Sequence, residues 1–385
     1  MRRLAAYGLG AATGWNVGNV GGVTADLAST YGVGLGAIGL LTTLLLISHS
    51  LVQVPGGRLI DRFGARRAGL ASAAALGLGN LVAMAGASFS IAAAGRVVAG
   101  IGTGLAFLAG NALSRSGRRS NASQGLFGGL AVGAGGLAIA TVPLAWTQVG
   151  WRAPFLTAVL FAALVAGLLA LLPHAADQRP STPSDDSQSV LADRRVHALA
   201  IVYSASFGFS VVAGTWAAEV LVRHGVLTKG PAATVASLTL LVGVVARPFG
   251  GWIAGRGART AQRAVAASLA AGAIGTITIV VAHSATLAVA GTSLVGFAAG
   301  VPFVPAFAGA AALWPDTPAT AAGVVNTAAN ATALIGTPLV GVAFGLSASG
   351  AIGLIAIATL WLAALAAVPA IGEALRALAP RRPPP

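Results

Sequence analysis

From Gln53 to Arg67 the chain reads QVPGGRLIDRFGARR, a stretch with four arginines, one acid and three glycines. It closes one long apolar run, 36–57, and opens the next, 68–87. A span needs about 20 apolar residues to cross a hydrocarbon core of roughly 30 Å, so both runs are long enough. Arginine gathers on the cytoplasmic side of a bilayer, which makes this turn the inner corner of a helical hairpin.

Outward from that corner, apolar runs lie near 4–25, 36–57, 68–87, 90–111, 121–143, 153–172, 197–221, 231–254, 263–283, 286–307, 319–342 and 347–370. They are continuous and do not alternate with period two, which excludes a β-barrel. The expectation is an all-α membrane protein of twelve transmembrane helices. Composition agrees: 56% of residues are hydrophobic and 8% charged, against roughly 25% charged in an ordinary soluble domain. A cytosolic enzyme and a disordered chain are excluded on that ground, and the absence of cysteine excludes a disulfide scaffold.

The net charge of +14 comes from 23 basic and nine acidic residues. On a soluble protein it would point to nucleic acid. Here the basic residues cluster between spans, and no nucleic acid partner is expected. With the amino terminus inside, cytoplasmic segments hold 18 of the 23: Arg2, Arg3, Arg58, Arg62, Arg66, Arg67, Arg115, Arg118, Arg119, Arg179, Arg194, Arg195, Arg256, Arg259, Arg263, Arg376, Arg381 and Arg382. Arg152, Arg223 and Lys229 fall outside, and Arg96 and Arg247 lie within spans. That split predicts both termini inside and an uncleaved first helix. The preference for arginine over lysine, 22 to one, suggests a GC-rich bacterial genome, hence a multi-pass protein of the bacterial cytoplasmic (inner) membrane.

The polar interruption at 173–196 contains PSTPSDDSQS and divides the spans six and six. The expected organisation is an N-terminal six-helix bundle at 1–172, a flexible cytoplasmic linker at 173–196, a C-terminal six-helix bundle at 197–370 and a cytoplasmic tail at 371–385. The halves are repeats. Arg247 to Arg259 reads RPFGGWIAGRGAR, and at an offset of 194 residues Gly56-Gly57 falls on Gly250-Gly251, Arg62 on Arg256, Gln53 on Arg247 and Asp61 on Gly255. Two six-span halves repeated in parallel are one plan for secondary transporters.

Gly57 to Arg67 resembles the loop motif G-x-x-x-D-R-x-G-x-R-R of the major facilitator superfamily, and the span count and central loop agree with it. Gly95-Arg96 through Gly102 is similar to the R-x-x-x-G-x-G pattern of its fourth span, and Gly150-Trp151-Arg152 with Phe155, and Trp216, resemble further recurrent features. Departures limit the likeness. Gly133 to Gly136 lacks the Gly-Pro step of the antiporter motif, Gly255 replaces the acid of the second loop, and no Arg-Gly pair precedes Gly323. The resemblance implies two six-helix bundles related by pseudo-two-fold symmetry and transport by alternating access. It also implies an inner latch of Gly57, Asp61 and Arg62 acting on span 11. On physical grounds, Asp61 can meet a helix N-terminus or a cation such as Arg115, while Arg66 and Arg67 read as orientation anchors.

A guanidinium inside a bilayer costs at least a few kcal/mol unless paired or wet. Arg247 lies about 12 Å above the inner end of its span and Arg96 about 9 Å below the outer end. No acid shares their depth. Two interior cations without interior acids point to an anion, and the planar guanidinium suits a carboxylate; for Arg96 the other reading is a packing or coupling residue bonded to carbonyls and asparagines. Nitrate carriers of the superfamily place a second arginine where this chain has Gln53, which argues against nitrate. The expected substrate-binding residues are Arg247, Arg96, Asn16, Asn19, Gln53 and Tyr203; Asn111, Ser206, Asn326 and Asn330 also lie at membrane depth, and Asn80 is set lower than Asn16 and Asn19 because spans 1, 4, 7 and 10 line the pathway in this family. His49, Asp26 and Glu219 are the coupling candidates, the two acids at near-equivalent places in the halves.

The chain has no HExxH, no Walker loop, and histidines scattered at 49, 174, 197, 224 and 283. No enzyme activity, cofactor or metal is expected. The expected function is secondary transport of a small organic anion with a proton or counter-anion, by a monomer in a lipid bilayer. The rivals are efflux of a hydrophobic or cationic compound and a non-transporting membrane sensor on the same scaffold.

Overall fold

The computed structural model describes residues 1–115, 120–173, 187–346 and 350–378. Arg118, Arg119, Arg179, Arg381 and Arg382 of the charge count, most of the linker and the end of the tail lie outside the described residues. Every regular element within them is helical. In chain order these are α1 (Arg2–Gly18), α2 (Thr24–Tyr31), α3 (Leu35–Phe63), α4 (Ala65–Ala83), α5 (Phe89–Ser114), α6 (Ser120–Val149), α7 (Ala153–Ala170), α8 (Ser187–Ala192), α9 (Arg194–Tyr203), α10 (Phe209–Arg223), α11 (Lys229–Ala254), α12 (Ala258–Val280), α13 (Ala285–Gly300), α14 (Phe303–Leu313), α15 (Pro318–Leu346), α16 (Ala351–Ala363) and α17 (Gly372–Ala377).

Eight helices among the described residues are long and apolar enough to cross a membrane, or nine if the bent pair Ala351–Ala367 and Pro369–Arg376 is one span. The difference from twelve has local causes. α6 and α7 together are Ser120–Ala170, two runs joined at the tight turn Gly150–Arg152. α1 has only 17 residues, and α4 carries Arg66 and Arg67 in its first turn. Some boundaries move. The first span ends at Gly18, seven residues before the expected 25, where a glycine-rich turn precedes α2. The tenth breaks between Gly300 and Phe303 at Pro302, which has no N–H to continue the ladder. Ser187–Ala192 and the start of α9 are helical, although they fall within the stretch expected to be a tether.

The chain forms two compact units. The first comprises Met1–Ser120, Leu130–Gln188 and Asp316–Gly323. Its helices meet through glycine. A Cβ at Gly79 would lie 2.4 Å from the Ala99 nitrogen, one at Gly95 2.4 Å from the Gly79 oxygen, and one at Gly100 2.3 Å from the Leu45 oxygen, so α4, α5 and α3 touch backbone to backbone. Leu27, Ile38, Leu41 and Phe155 fill a buried apolar cluster beside Trp15, Trp146 and Trp151. Arg66 does more than anchor: its Nε and Nη2 donate to Leu169 (3.1 Å) and Ala170 (3.4 Å), closing free carbonyls at the end of α7.

The second unit comprises Asn121–Gly129, Ser189–Pro315 and Val324–Pro385. It repeats the glycine joints at an offset of 196: Gly275 meets Gly291 as Gly79 meets Gly95, and Gly296 meets the Leu238 oxygen as Gly100 meets Leu45. Gly64 and Gly257, with φ of 90° and 116°, start α4 and α12 in the two halves, a conformation that side chains oppose. At the start of α9, Asp193 accepts from the backbone and guanidinium of Arg195 and from Trp314. Burial works to raise the Asp193 carboxyl, but these hydrogen bonds outweigh it and hold the group below the usual carboxylate range.

The packing sets opposite expectations for two glycines of one helix. Gly79→Ala is expected to destabilise by about 1–3 kcal/mol through overpacking. Gly77→Ala meets nothing within 4 Å and is expected to be neutral or to stabilise by about 0.4–1 kcal/mol. Thermal unfolding of both variants in detergent reads the difference.

Candidate functional site

In the first unit, Arg96 of α5 is fully buried and all its nitrogens are engaged. Nε donates to the Leu41 carbonyl (3.2 Å), Nη1 to Asn19 Oδ1 (3.1 Å) and Nη2 to the Asn16 carbonyl (2.7 Å). Asn19 Nδ2 in turn donates to Pro154 (2.7 Å), and Asn80 Nδ2 donates to Asn16 Oδ1 (2.8 Å). One guanidinium thus joins α1, α3, α4, α5 and α7 into a polar network. Asn16 and Asn19 come together with Arg96 as their spacing suggested, and Asn80, set lower in the sequence reading, belongs to the same network.

A second cluster lies deeper along α3. His49 Nδ1 is 3.1 Å from the Thr103 hydroxyl, which donates to Gly100 (2.8 Å), and His49 Nε2 is 2.8 Å from Gln53 Nε2. Donation by the Gln53 amide makes Nε2 the acceptor and places the ring proton on Nδ1. Gln53 Oε1 is buried without a hydrogen-bond partner among the described residues. Such an orphan acceptor costs about 1–3 kcal/mol.

At the end of α3, Asp61 accepts from the backbone N–H of Ala319 (2.9 Å) and of Thr320 (2.8 Å) and from the Thr320 hydroxyl (2.7 Å). The carboxylate therefore caps the positive end of α15, whose first residue is Pro318. A Cβ at Gly57 would lie 2.6 Å from Thr320 Cα, which is why the approach needs glycine there. Arg115 acts on Asp61 through its charge. Arg62 is exposed over the Phe63 ring at 5.0 Å and takes no part in the cap.

In the second unit, Arg247 of α11 is buried like Arg96 but held differently. Nη1 donates to the Gly128 carbonyl (2.8 Å), and the guanidinium lies 4.7 Å from the Phe303 centroid and 5.5 Å from that of Phe207. Among the described residues no carboxylate and no second hydrogen bond meets it. Gly125 and Gly129 let α6 approach the Arg247 and Val244 carbonyls, which brings Gly128 within reach. Tyr203 stacks on Phe207 at 5.6 Å and meets Phe307 edge-on at 4.9 Å. Directly after Tyr203 the helix widens to a π-turn, Ser204–Gly208, a distortion frequent at functional sites. Ser210 hydrogen-bonds back to the Ser206 carbonyl across it. The sequence reading missed Phe207 and Phe303; Phe303 directly follows the Pro302 break, which was the available signal.

Asp26 is exposed in the first turn of α2, and Glu219 pairs with Arg223 at 2.6 Å. Each sits at a solvent-reached helix end, apart from the clusters above.

A family model described as Major Facilitator Superfamily matches residues 6–337. Over 100 residues the chain is 30% identical to facilitated glucose transporter member 12 of solute carrier family 2 from Macaca fascicularis and 29% to its Homo sapiens counterpart. That stretch is 26% of this chain and 16% of each relative. Among solved structures, a variant of the E. coli fucose:proton symporter FucP aligns with a TM-score of 0.76 at 15% identity, covering 96% of this chain and 99% of that one. The proton:xylose symporter XylE bound to 6-bromo-6-deoxy-D-glucose aligns at 0.72 and 12%, covering 95% and 94%.

The two buried arginines should answer a charge-preserving change differently. Arg96→Lys keeps the cation but cannot reach three acceptors, and is expected to lower stability by about 1–3 kcal/mol. Arg247→Lys gives up one hydrogen bond and part of an aromatic contact, and is expected to cost less than half as much. Unfolding midpoints of the two variants in detergent check this.

Proposed function

The chain belongs to the major facilitator superfamily, and on that premise we propose that it is a secondary transporter carrying a small polar solute across a bacterial cytoplasmic membrane by alternating access. The favoured solute is a small organic anion. One observation carries this reading: Arg247 is buried, has no acid partner among the described residues, and uses one of its five N–H donors. A carboxylate meeting the remaining donors would neutralise the cation with charge-assisted hydrogen bonds. Tyr203 supplies a hydroxyl in the same aromatic setting. In the first unit, the unpartnered Gln53 oxygen is the group best placed to accept from a solute, and His49, bonded to Gln53, is the coupling candidate. Arg96, Asn16 and Asn19 act by holding α1 rigid, since their polar groups are taken up by one another and by Ala12, Leu41, Asn80 and Pro154. The Asp61 cap on α15 is the latch that substrate binding must release.

A second reading, a neutral sugar, is favoured by the glucose, fucose and xylose transporters to which the chain is similar. A thermal-shift panel of carboxylates, hexoses, pentoses and lipophilic cations separates the two. For the matching solute, at 100 times its dissociation constant, stabilisation of about 2.7 kcal/mol is expected. Carboxylates should stabilise the wild-type protein and not Arg247→Ala. Stabilisation by a sugar that persists in Arg247→Ala would replace the anion reading with the sugar reading.

A further inference from the structure

The second unit carries a basic cavity away from Arg247, and its chemistry is independent of the transported solute. It has a volume of about 370 Å3 and is lined by Arg256, Gly257, Arg259, Thr260, Gln262 and Arg376, among others. Three arginines from two elements, the turn into α12 and the tail helix α17, thus face one hollow. No acid lines it. Glu373, the acid of α17, is engaged 2.8 Å away by Arg195. The floor is the start of α12, whose N-cap is Gly257, a residue with no side chain to cap the first N–H groups. Those donors and the helix dipole favour an anion at the same place as the arginines. Gln262 is fixed by donating to the Val368 carbonyl (2.9 Å), which ties α12 to the segment leading into α17.

We propose that this cavity binds a phosphate group, and that the source is the headgroup of an acidic phospholipid. The neighbouring surface favours lipid over free phosphate. Trp252 is 49% exposed, Val245 72% and Phe249 39%, giving an apolar strip along α11 that leads to the cavity. Arg256 lies 3.4 Å above the Trp252 ring, so the strip and the basic cavity share a side chain. A diacyl phosphate could lay its chains along the strip with its phosphate among the arginines. A basic pocket at the cytoplasmic ends of spans is a known kind of lipid site. In the first half, the corresponding corner has Asp61 engaged with α15, and the cavity at Leu59, Phe63, Arg67 and Ala71 is mostly apolar. The second half has Gly255 where the first has that acid, so no carboxylate stands at that position beside Arg256.

The test uses the full-length protein in detergent, titrated with cardiolipin, phosphatidylglycerol or phosphatidylcholine and read by native mass spectrometry and thermal shift. Inorganic phosphate runs as a separate arm. The variants are Arg376→Gln, Arg259→Gln/Arg376→Gln, and Arg263→Gln as a charge-matched control outside the cavity. Acidic lipids are expected to bind in preference to phosphatidylcholine, with a loss of about fivefold per cavity arginine removed and no loss in Arg263→Gln. Arg376→Gln alone, on the tail helix, tests the site even where the double variant does not fold. Protection by inorganic phosphate equal to that by lipid, lost in Arg376→Gln, would uphold the phosphate site and overturn the lipid source. Equal binding of acidic and zwitterionic lipids without a phosphate effect, or an equal loss in Arg263→Gln, would overturn the site.

Discussion

A guanidinium withdrawn from water must have its charge and its five donors met by something, and this protein meets that requirement in two opposite ways. Arg96 is satisfied from within: two carbonyls and an asparagine oxygen take its three nitrogens, and the acceptors come from α1 and α3. Arg247 has one carbonyl and two aromatic faces. The first arrangement fixes helices to one another. The second holds the charge in position with a single hydrogen bond among the described residues, and aromatic faces stabilise a cation without consuming its hydrogen-bonding capacity. Removing a buried cation's only anionic partner is costly, and here the described residues supply none.

The internal repeat shows that these solutions are local departures from a shared plan. Gly79 and Gly95 recur as Gly275 and Gly291, and Gly100 and Gly104 as Gly296 and Gly300, each pressed against a neighbouring backbone. Between these joints the halves diverge. At the same offset of 196, Arg96 corresponds to Thr292, whose hydroxyl bonds its own helix at Ala288. At the offset of 194 that relates the loop motifs, Arg247 corresponds to Gln53, which binds His49 instead of an aromatic pair. Asp61, which caps α15, corresponds to Gly255. Glycine therefore carries the scaffold common to both halves, and the polar exceptions carry what distinguishes them.

Much of the scaffold was legible in the residues because bilayer physics is written in long apolar runs and in where arginine stops them. Each of the twelve runs is helical over most of its described residues. The loop motif pointed to the Asp61 contact with span 11, and the repeat register was readable from GG and R spacing alone. The breaks were harder. Nothing in Gly18 to Gly22 distinguishes a kink from the many glycines inside intact helices, and Pro302 interrupts a helix while Pro55, Pro143, Pro248 and Pro338 do not. The unequal treatment of the two arginines was legible only as an alternative. Both read as interior cations without acids, and of the two readings open for Arg96 the three-dimensional partners show the one in which asparagines and carbonyls enclose it. Backbone acceptors leave no trace in composition, so Gly128, Leu41 and Gly100 could not be named beforehand.

The two halves differ most in that one buried guanidinium is spoken for and the other is held by a single hydrogen bond among the described residues. Hydrogen exchange at the arginine Nε–H groups, followed by NMR on arginine-labelled protein and assigned with the single Arg96 and Arg247 lysine variants, measures it directly. Arg96 should exchange slowly whether or not solute is present, while Arg247 should exchange faster and become protected when a binding carboxylate is added. Equal protection of the two in the solute-free protein, with no change on adding any carboxylate, would contradict the account.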